Sequence, residues 1–306
     1  MDSMDSFRER FEALEQRTEQ LQQHTRMVER RLRWWRGIAC GVMLLGLVSM
    51  PLQPGTAADT QPRGMAERMA TLENKLSAMT FDGAANEVVI TGANLRIVNG
   101  LGSTDTTNGL GNLIVGYNEE RGSGSDVRTG SHNVVVGRFH NFSSFGGLVV
   151  GEANAITGQF ASVSGGQQNT ASGLFASVSG GIANRARALG SWVSGGTLNT
   201  ASGGGSSVSS GGNNTASGDG SWVSGGFGNV ASGGNAAVCG GFNNTASGGD
   251  SSVSGGVNNT ASGIASSVSG GQNNTASGNE SSVSGGSNRT APAEFNWAAG
   301  ALFSDN

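Results

Sequence analysis

Apolar positions recur along this chain with a fixed step. From Leu148 the anchors run Val163, Val178, Val193 and onward to Val283, one every 15 residues. An asparagine follows six places after each anchor, from Asn154 and Asn169 to Asn274, and in the last copy it arrives early, at Asn288. A small apolar residue stands eight places after each anchor, from Ile156 and Ala171 to Ala276 and Ala291. A short period held over half the chain predicts a solenoid of stacked coils. Each coil reads like "SVSGGQQNTASG" at 162–173: two short extended pieces centred on Val163 and Ala171, separated by glycine-bearing corners. Ser, Thr, Asn and Gly disfavour helix interiors and suit turns and short strands. Period-two alternation points the valine and the alanine inward together.

Such a coil is thin. One valine and one alanine bury apolar area worth roughly 2–3 kcal/mol. Ordering a coil's backbone opposes folding by about 1–2 kcal/mol per residue. Backbone ladders must therefore contribute, and association of copies is expected.

Upstream the coils are more apolar: "LIVG" at 113–116, "VVVG" at 134–137 and "LVVG" at 148–151, with Val134 and Leu148 only 14 apart. Residues 81–147 read as lead-in strands, notably "NEVVITGANLRIVNG" at 86–100, followed by the first coils with a surface loop inserted at 118–130. Residues 148–290 are the 15-residue repeats. In 291–306 the phrase is abandoned, and Pro292, Phe295, Trp297 and Phe303 suit a cap over the last coil. Before the strands, Met65, Met69, Leu72, Leu76 and Met79 alternate steps of four and three, a coiled-coil seam that makes 65–80 a helical neck. Residues 1–36 repeat the heptad pattern, with Phe7, Leu14, Leu21 and Val28 seven apart. They predict a coiled-coil helix, with an amphipathic helix on a membrane surface as the alternative.

Residues 37–53, "GIACGVMLLGLVSMPLQ", carry no charge, and 54–64 form a linker. Arg30, Arg31, Arg33 and Arg36 precede the apolar stretch. A basic flank stays in the cytoplasm, so the reading is a transmembrane anchor, an inside N-terminus and repeats exported to the cell surface or periplasm. "GTAAD" at 55–59 also suits cleavage after Ala58, which would make 37–53 the core of an export signal.

Composition removes several function classes. The chain has 306 residues, 53 of them glycine, a formal charge of −4 and only 13% charged residues. Between 159 and 290 the charges are Arg185, Arg187, Asp219, Asp250, Glu280 and Arg289. No basic stripe exists there to neutralise phosphates, so no nucleic-acid partner is expected. Cys40 and Cys239 make no disulfide framework. His132 and His140 lack a carboxylate in ligand spacing, and the many serines lack a partnered base. Accordingly no catalytic, cofactor-binding or metal residue is assigned, and no cofactor. The chain is expected not to be an enzyme; a polar constellation in 118–130 would argue otherwise. Trp192 and Trp222 replace serine just before their anchors and point away from the core, as ligand anchors or as contacts between copies. Phe160, Phe175, Phe227 and Phe242 fall at corners.

Val134–Gly137, then Leu148-Val149-Val150-Gly151 with Asn154, Ile156 and Gly158, continue as Val163, Gly166, Asn169, Ala171 and Gly173. These coils resemble the head of trimeric autotransporter adhesins of the Yersinia adhesin type, over about residues 86–290. The resemblance implies a left-handed parallel β-roll of 14–15-residue coils, a homotrimer on a coiled-coil neck, and attachment to host or matrix surfaces. Two departures stand out. "VSGG" replaces the family's second apolar residue and lengthens the coil by one, and the chain reaches Asn306 without the family's outer-membrane barrel strands. The expectation is an all-β solenoid preceded by coiled-coil helices and one membrane segment. Its role is that of a non-catalytic surface or envelope protein whose trimeric β-roll serves adhesion to an unidentified surface or matrix ligand. The alternative is a purely structural envelope or fibre scaffold.

Overall fold

The computed structural model of the chain describes residues 61–122, 124 and 126–300. They fall in two units, divided between Ala93 and Asn94. The first holds a helix, α1 (Gln61–Leu76), and an antiparallel hairpin of β1 (Met79–Asp82) and β2 (Glu87–Ile90). The Asp82 carboxylate accepts the N–H groups of Ala84 and Ala85 at 2.9 and 3.2 Å and shapes the turn.

Here the expectation of coiled-coil helices and a membrane segment is corrected. One helix is present among the described residues, and it ends at Leu76. Met79, the last member of the expected seam, stands in β1 opposite Ile90. Thr80 and Phe81 favour an extended backbone, and the Val88-Val89-Ile90 run supplies the strand they pair with. Met65, Met69, Leu72 and Leu76 are exposed, with no second helix against them among the described residues. No described helix is long and apolar enough to cross a membrane. With 16 residues, α1 is about 24 Å long against an apolar thickness of about 30 Å, and it carries Glu67, Arg68, Glu73 and Lys75. Residues 1–36 and 37–53 lie outside the described residues. The membrane anchor, the membrane as partner, and the cytoplasmic N-terminus with exported repeats that followed from it thus find no counterpart in the structure and are not carried further.

The second unit is a parallel β-solenoid of two sheets. One has 13 strands and starts with β3 (Leu113–Val115), β4 (Val134–Arg138), β6 (Leu148–Glu152) and β8 (Ser162–Val163). It continues through every even-numbered strand to β26 (Trp297–Ala298). The other has 11 strands, from β5 (Asn141–Phe142), β7 (Ala155–Ile156) and β9 (Thr170–Ala171) to β25 (Thr290–Ala291). From β4 to β25 each coil supplies one strand to each sheet, while β3 and β26 add an end strand to the first sheet alone, and like residues pair: Val163 with Val178, Ala171 with Ala186. These valines and alanines are fully buried and form one continuous core. The stretch expected as a cap adds another coil's worth of strand, with Phe295 and Trp297 exposed; Phe303 lies outside the described residues.

The inward anchor of the first coils differs from the expected one. Val149, not Leu148, pairs with Val163 and is buried; Leu148 pairs with Ser162. A run of consecutive apolar residues does not reveal which of them faces the core, and a slip of one turns every side chain over. The coil lengthens between anchor and asparagine: Asn154 comes five residues after Val149, Asn169 six after Val163.

The repeated asparagine is the second structural column. Asn229 is fully buried; its Nδ2 donates to Gly225 O at 2.9 Å and Gly241 O at 3.0 Å, and its Oδ1 accepts Asn244 N–H at 2.9 Å. The same three bonds recur from Asn169 to Asn259. A buried amide is tolerated because its hydrogen bonds are made, here to backbone groups of the tight corners, one of which, Gly241 O, also accepts the Phe227 N–H. Close approach also dictates glycine beside it. Gly226 has φ +82°, and a Cβ there would lie 2.2 Å from Gly241 O and 2.6 Å from Asn229 Nδ2. At the exposed corners the backbone is again left-handed, at Asn213, Asn243, Asn258 and Asn273 and also at Phe160, Phe175 and Leu198. Asn reaches that region at little cost; Phe and Leu do so under strain.

Candidate functional site

The insertion at 118–130 brings two arginines onto one corner of the solenoid. The Arg121 guanidinium donates to Phe139 O, to Ala153 O at 2.7 Å and to Asn154 O at 3.0 Å. Arg128 donates to His140 O at 3.3 Å, to Asn118 O at 2.6 Å and to Glu119 O. Asp126 lies 3.4 Å from Arg128 and accepts the Arg121 backbone N–H at 3.1 Å. Burial lowers the Arg121 pKa; Asp126 opposes that shift and Arg128 adds to it. The Arg121 fork is thus spent on the carbonyls of two successive corners, and Arg128 ties His140 O to the loop's own Asn118 and Glu119 carbonyls, which clamps the loop across the first coils. The polar constellation sought in this loop is a strap.

The two histidines of this region are also built into the backbone network. His132 Nε2 accepts Asn99 N–H at 3.2 Å, so its Nδ1 carries the proton and donates to Thr104 O at 2.9 Å. It lines a cleft of about 620 Å³ with Arg96, Asn99 and Ser103. His140 is buried, with Nδ1 accepting Asn154 N–H at 3.3 Å and Nε2–H donating to Val136 O at 3.0 Å. It makes the bonds an asparagine makes in later coils, one position earlier in the same column. Its pKa is pushed down, first by burial and further by the Arg121 charge, against hydrogen bonds to the backbone, that to Val136 foremost, which raise it. Neither ring has a nitrogen left for a metal. Among the described residues no group of three or more His, Cys, Asp or Glu is placed to hold one.

The repeats offer faces and edges. Outward from the 11-stranded sheet stand Thr200, Thr215, Thr245, Thr260, Thr275 and Thr290, with Val230 in their row. Outward from the 13-stranded sheet stand serines, with Trp192, Trp222 and Trp297 among them, all exposed. Phe160 and Phe175 stack on one edge, with ring centroids 5.4 Å apart. Phe227 and Phe242 stack on the other at 5.8 Å, in a row that also holds Ile182 and Val257. Cys239 is free and exposed.

Sequence reasoning found the period of the asparagines but not their work. It also placed the last one at Asn288, whereas Asn288 is an exposed corner residue with φ 55°. Arg289 occupies the column there, its N–H donating to Asn274 Oδ1 at 2.9 Å. The signal available was the unbroken step of 15 from Asn274, which lands on Arg289. No protein-family model matches this chain, and no curated protein matches it.

Proposed function

We propose that this chain is a structural β-solenoid, a non-catalytic rod whose use lies in its length, stiffness and repeated surface. The observation that carries the reading is the in-register stack of 13 strands in one sheet, which spans about 58 Å at the usual strand spacing. From Val163 to Ala276 core valine, ladder asparagine and core alanine repeat coil by coil, and charges are rare along that stretch. Such a design lets length change by whole coils without disturbing the contacts between neighbours.

That property supplies the test. Deleting residues 234–263 from the full chain removes two whole coils and leaves the columns in phase. The product should fold and, by small-angle scattering, be shorter by about 10 Å. Deleting 234–255 puts valine, asparagine and glycine out of phase and should abolish cooperative melting. An in-phase deletion that fails to fold would overturn the scaffold reading.

A finer reading, a homotrimeric head for adhesion, draws on the resemblance in the coils and on one further observation. Ile182, Phe227, Phe242 and Val257 leave an apolar row exposed along one edge. Sedimentation equilibrium of the full chain should then give three copies, and Phe227→Ser with Phe242→Ser should shift it toward one. A monomeric parent would end this reading and leave the scaffold intact.

A further inference from the structure

The two broad faces of the solenoid are not equivalent. The outward positions of the 13-stranded sheet from Ser162 to Ser284 contain no charged residue. Most are serine, yet Trp192 and Trp222 interrupt the row. Folding does not require them, because Ser177, Ser207 and Ser252 fill the same position in other coils. The two indoles are 48% and 39% exposed, an unfavourable use of a large apolar ring unless something covers it.

Their placement is regular. Trp192 pairs with Ser207, and Ser207 with Trp222, so the rings stand two coils apart, about 9.6 Å. Trp192 Nε1–H donates to Ser179 Oγ of the preceding coil at 3.4 Å. Trp297 repeats that geometry with Ser284 at 2.7 Å. At Trp192 and Trp297 the bond tethers the ring over its own sheet. Aromatic faces carry negative potential and attract polarised C–H groups. The flanking hydroxyls both donate and accept. The uncharged surroundings offer an ionic ligand no partner. Stacking faces plus hydroxyls without charge are what a neutral sugar chain needs. In an extended chain of β-1,4-linked hexoses, ring faces recur every two sugars, on the length scale of two coils.

We propose that the face bearing Trp192 and Trp222 binds an extended, neutral, β-1,4-linked glycan running along the solenoid axis, with Ser207 between the two stacked sugars. The proposal rests on the scaffold reading, since only a rigid array holds the rings at a fixed separation.

The test uses the full chain and microcrystalline cellulose, with amylose, an α-linked and helical glucan, as the comparison. The parent should be retained on cellulose and not on amylose. Trp192→Ala and Trp222→Ala should each weaken retention about tenfold, the scale of one lost aromatic anchor, and the double variant should abolish it. Trp297→Ala, five coils from Trp222, should retain the parent's binding. All four variants alter outward positions and should melt with the parent. No retention of the parent, equal retention on amylose, or indifference to the double variant would each overturn the proposal. So would a fall in sedimenting mass of the double variant, which would assign the face to a second copy of the chain. Failure of the in-phase deletion to fold, with cellulose binding by the parent intact, would count against the scaffold alone.

Discussion

Replacing Asn229 with alanine tests the asparagine column directly. The amide is fully buried and makes three bonds to backbone groups: Gly225 O, Gly241 O and Asn244 N–H. Gly241 O keeps a second partner, the Phe227 N–H at 3.0 Å. Gly225 O and Asn244 N–H lose the partner that Asn229 gives them. Each buried group left unsatisfied costs about 1–3 kcal/mol, so the substitution should destabilise the unit by about 2–6 kcal/mol. Domains of ordinary size are stable by about 5–15 kcal/mol, so the loss is a large share of the whole. Thr245→Ala, one coil on and outward, is the comparison and should change stability by less than about 1 kcal/mol. Urea denaturation of the full-length variants at equal concentration gives both numbers. Amide exchange should also rise first at Asn244 and in the coils on either side, since coils rest on their neighbours. A difference of less than about 0.5 kcal/mol between Asn229→Ala and Thr245→Ala would refute the claim that the column satisfies the corners.

Three further outcomes follow from other columns. Val223 is fully buried, so Val223→Asp should strongly lower the melting temperature while Ser224→Asp on the outer face should not; equal melting of the two would mean that the valines are not the core. Gly226→Ala meets both a left-handed φ and a Cβ contact of 2.2 Å, and should destabilise by more than about 1 kcal/mol in the same urea titration; a neutral result would deny the close approach of the corners. His140 has its folded pKa below the ordinary 6.5, so the unfolded chain binds the proton more readily; its contribution to stability is complete above pH 6.5 and declines as pH falls through and below that value. The melting temperature should therefore drop on acidification from pH 7.5 to 5, and His140→Asn, which restores the column's usual residue, should flatten that drop; an unchanged slope in this variant would exclude His140 as its source.

Much of the fold was legible because the repeat reports itself. A step of 15 with Val, Asn and Ala at constant offsets leaves few backbones possible, and Val163 and Ala171 point inward as alternation requires. The candidate chemistry was less legible. His140 looks like a loop histidine in sequence, because nothing local reveals that a ring can stand where later coils place an amide. Arg121 and Arg128 belong to a stretch that reads in sequence only as a surface loop, until the corner carbonyls of Phe139, His140 and Ala153 are brought beneath them.

By itself, the sequence determined the solenoid: its period, its two strands per coil, its valine–alanine core and its glycine corners, all consequences of local alternation and of contacts repeated at one separation. Only the tertiary structure decided the register at Val149, the hairpin that takes Met79 from the expected neck, and the arginine strap. Each of these turns on a partner distant in sequence: Val163 for Val149, Ile90 for Met79 and Ala153 for Arg121. Local pattern cannot choose between faces of an apolar run or between helix and strand for a short one. The hydrogen bonds and pairings of the folded chain can, because a wrong choice leaves buried backbone groups without partners.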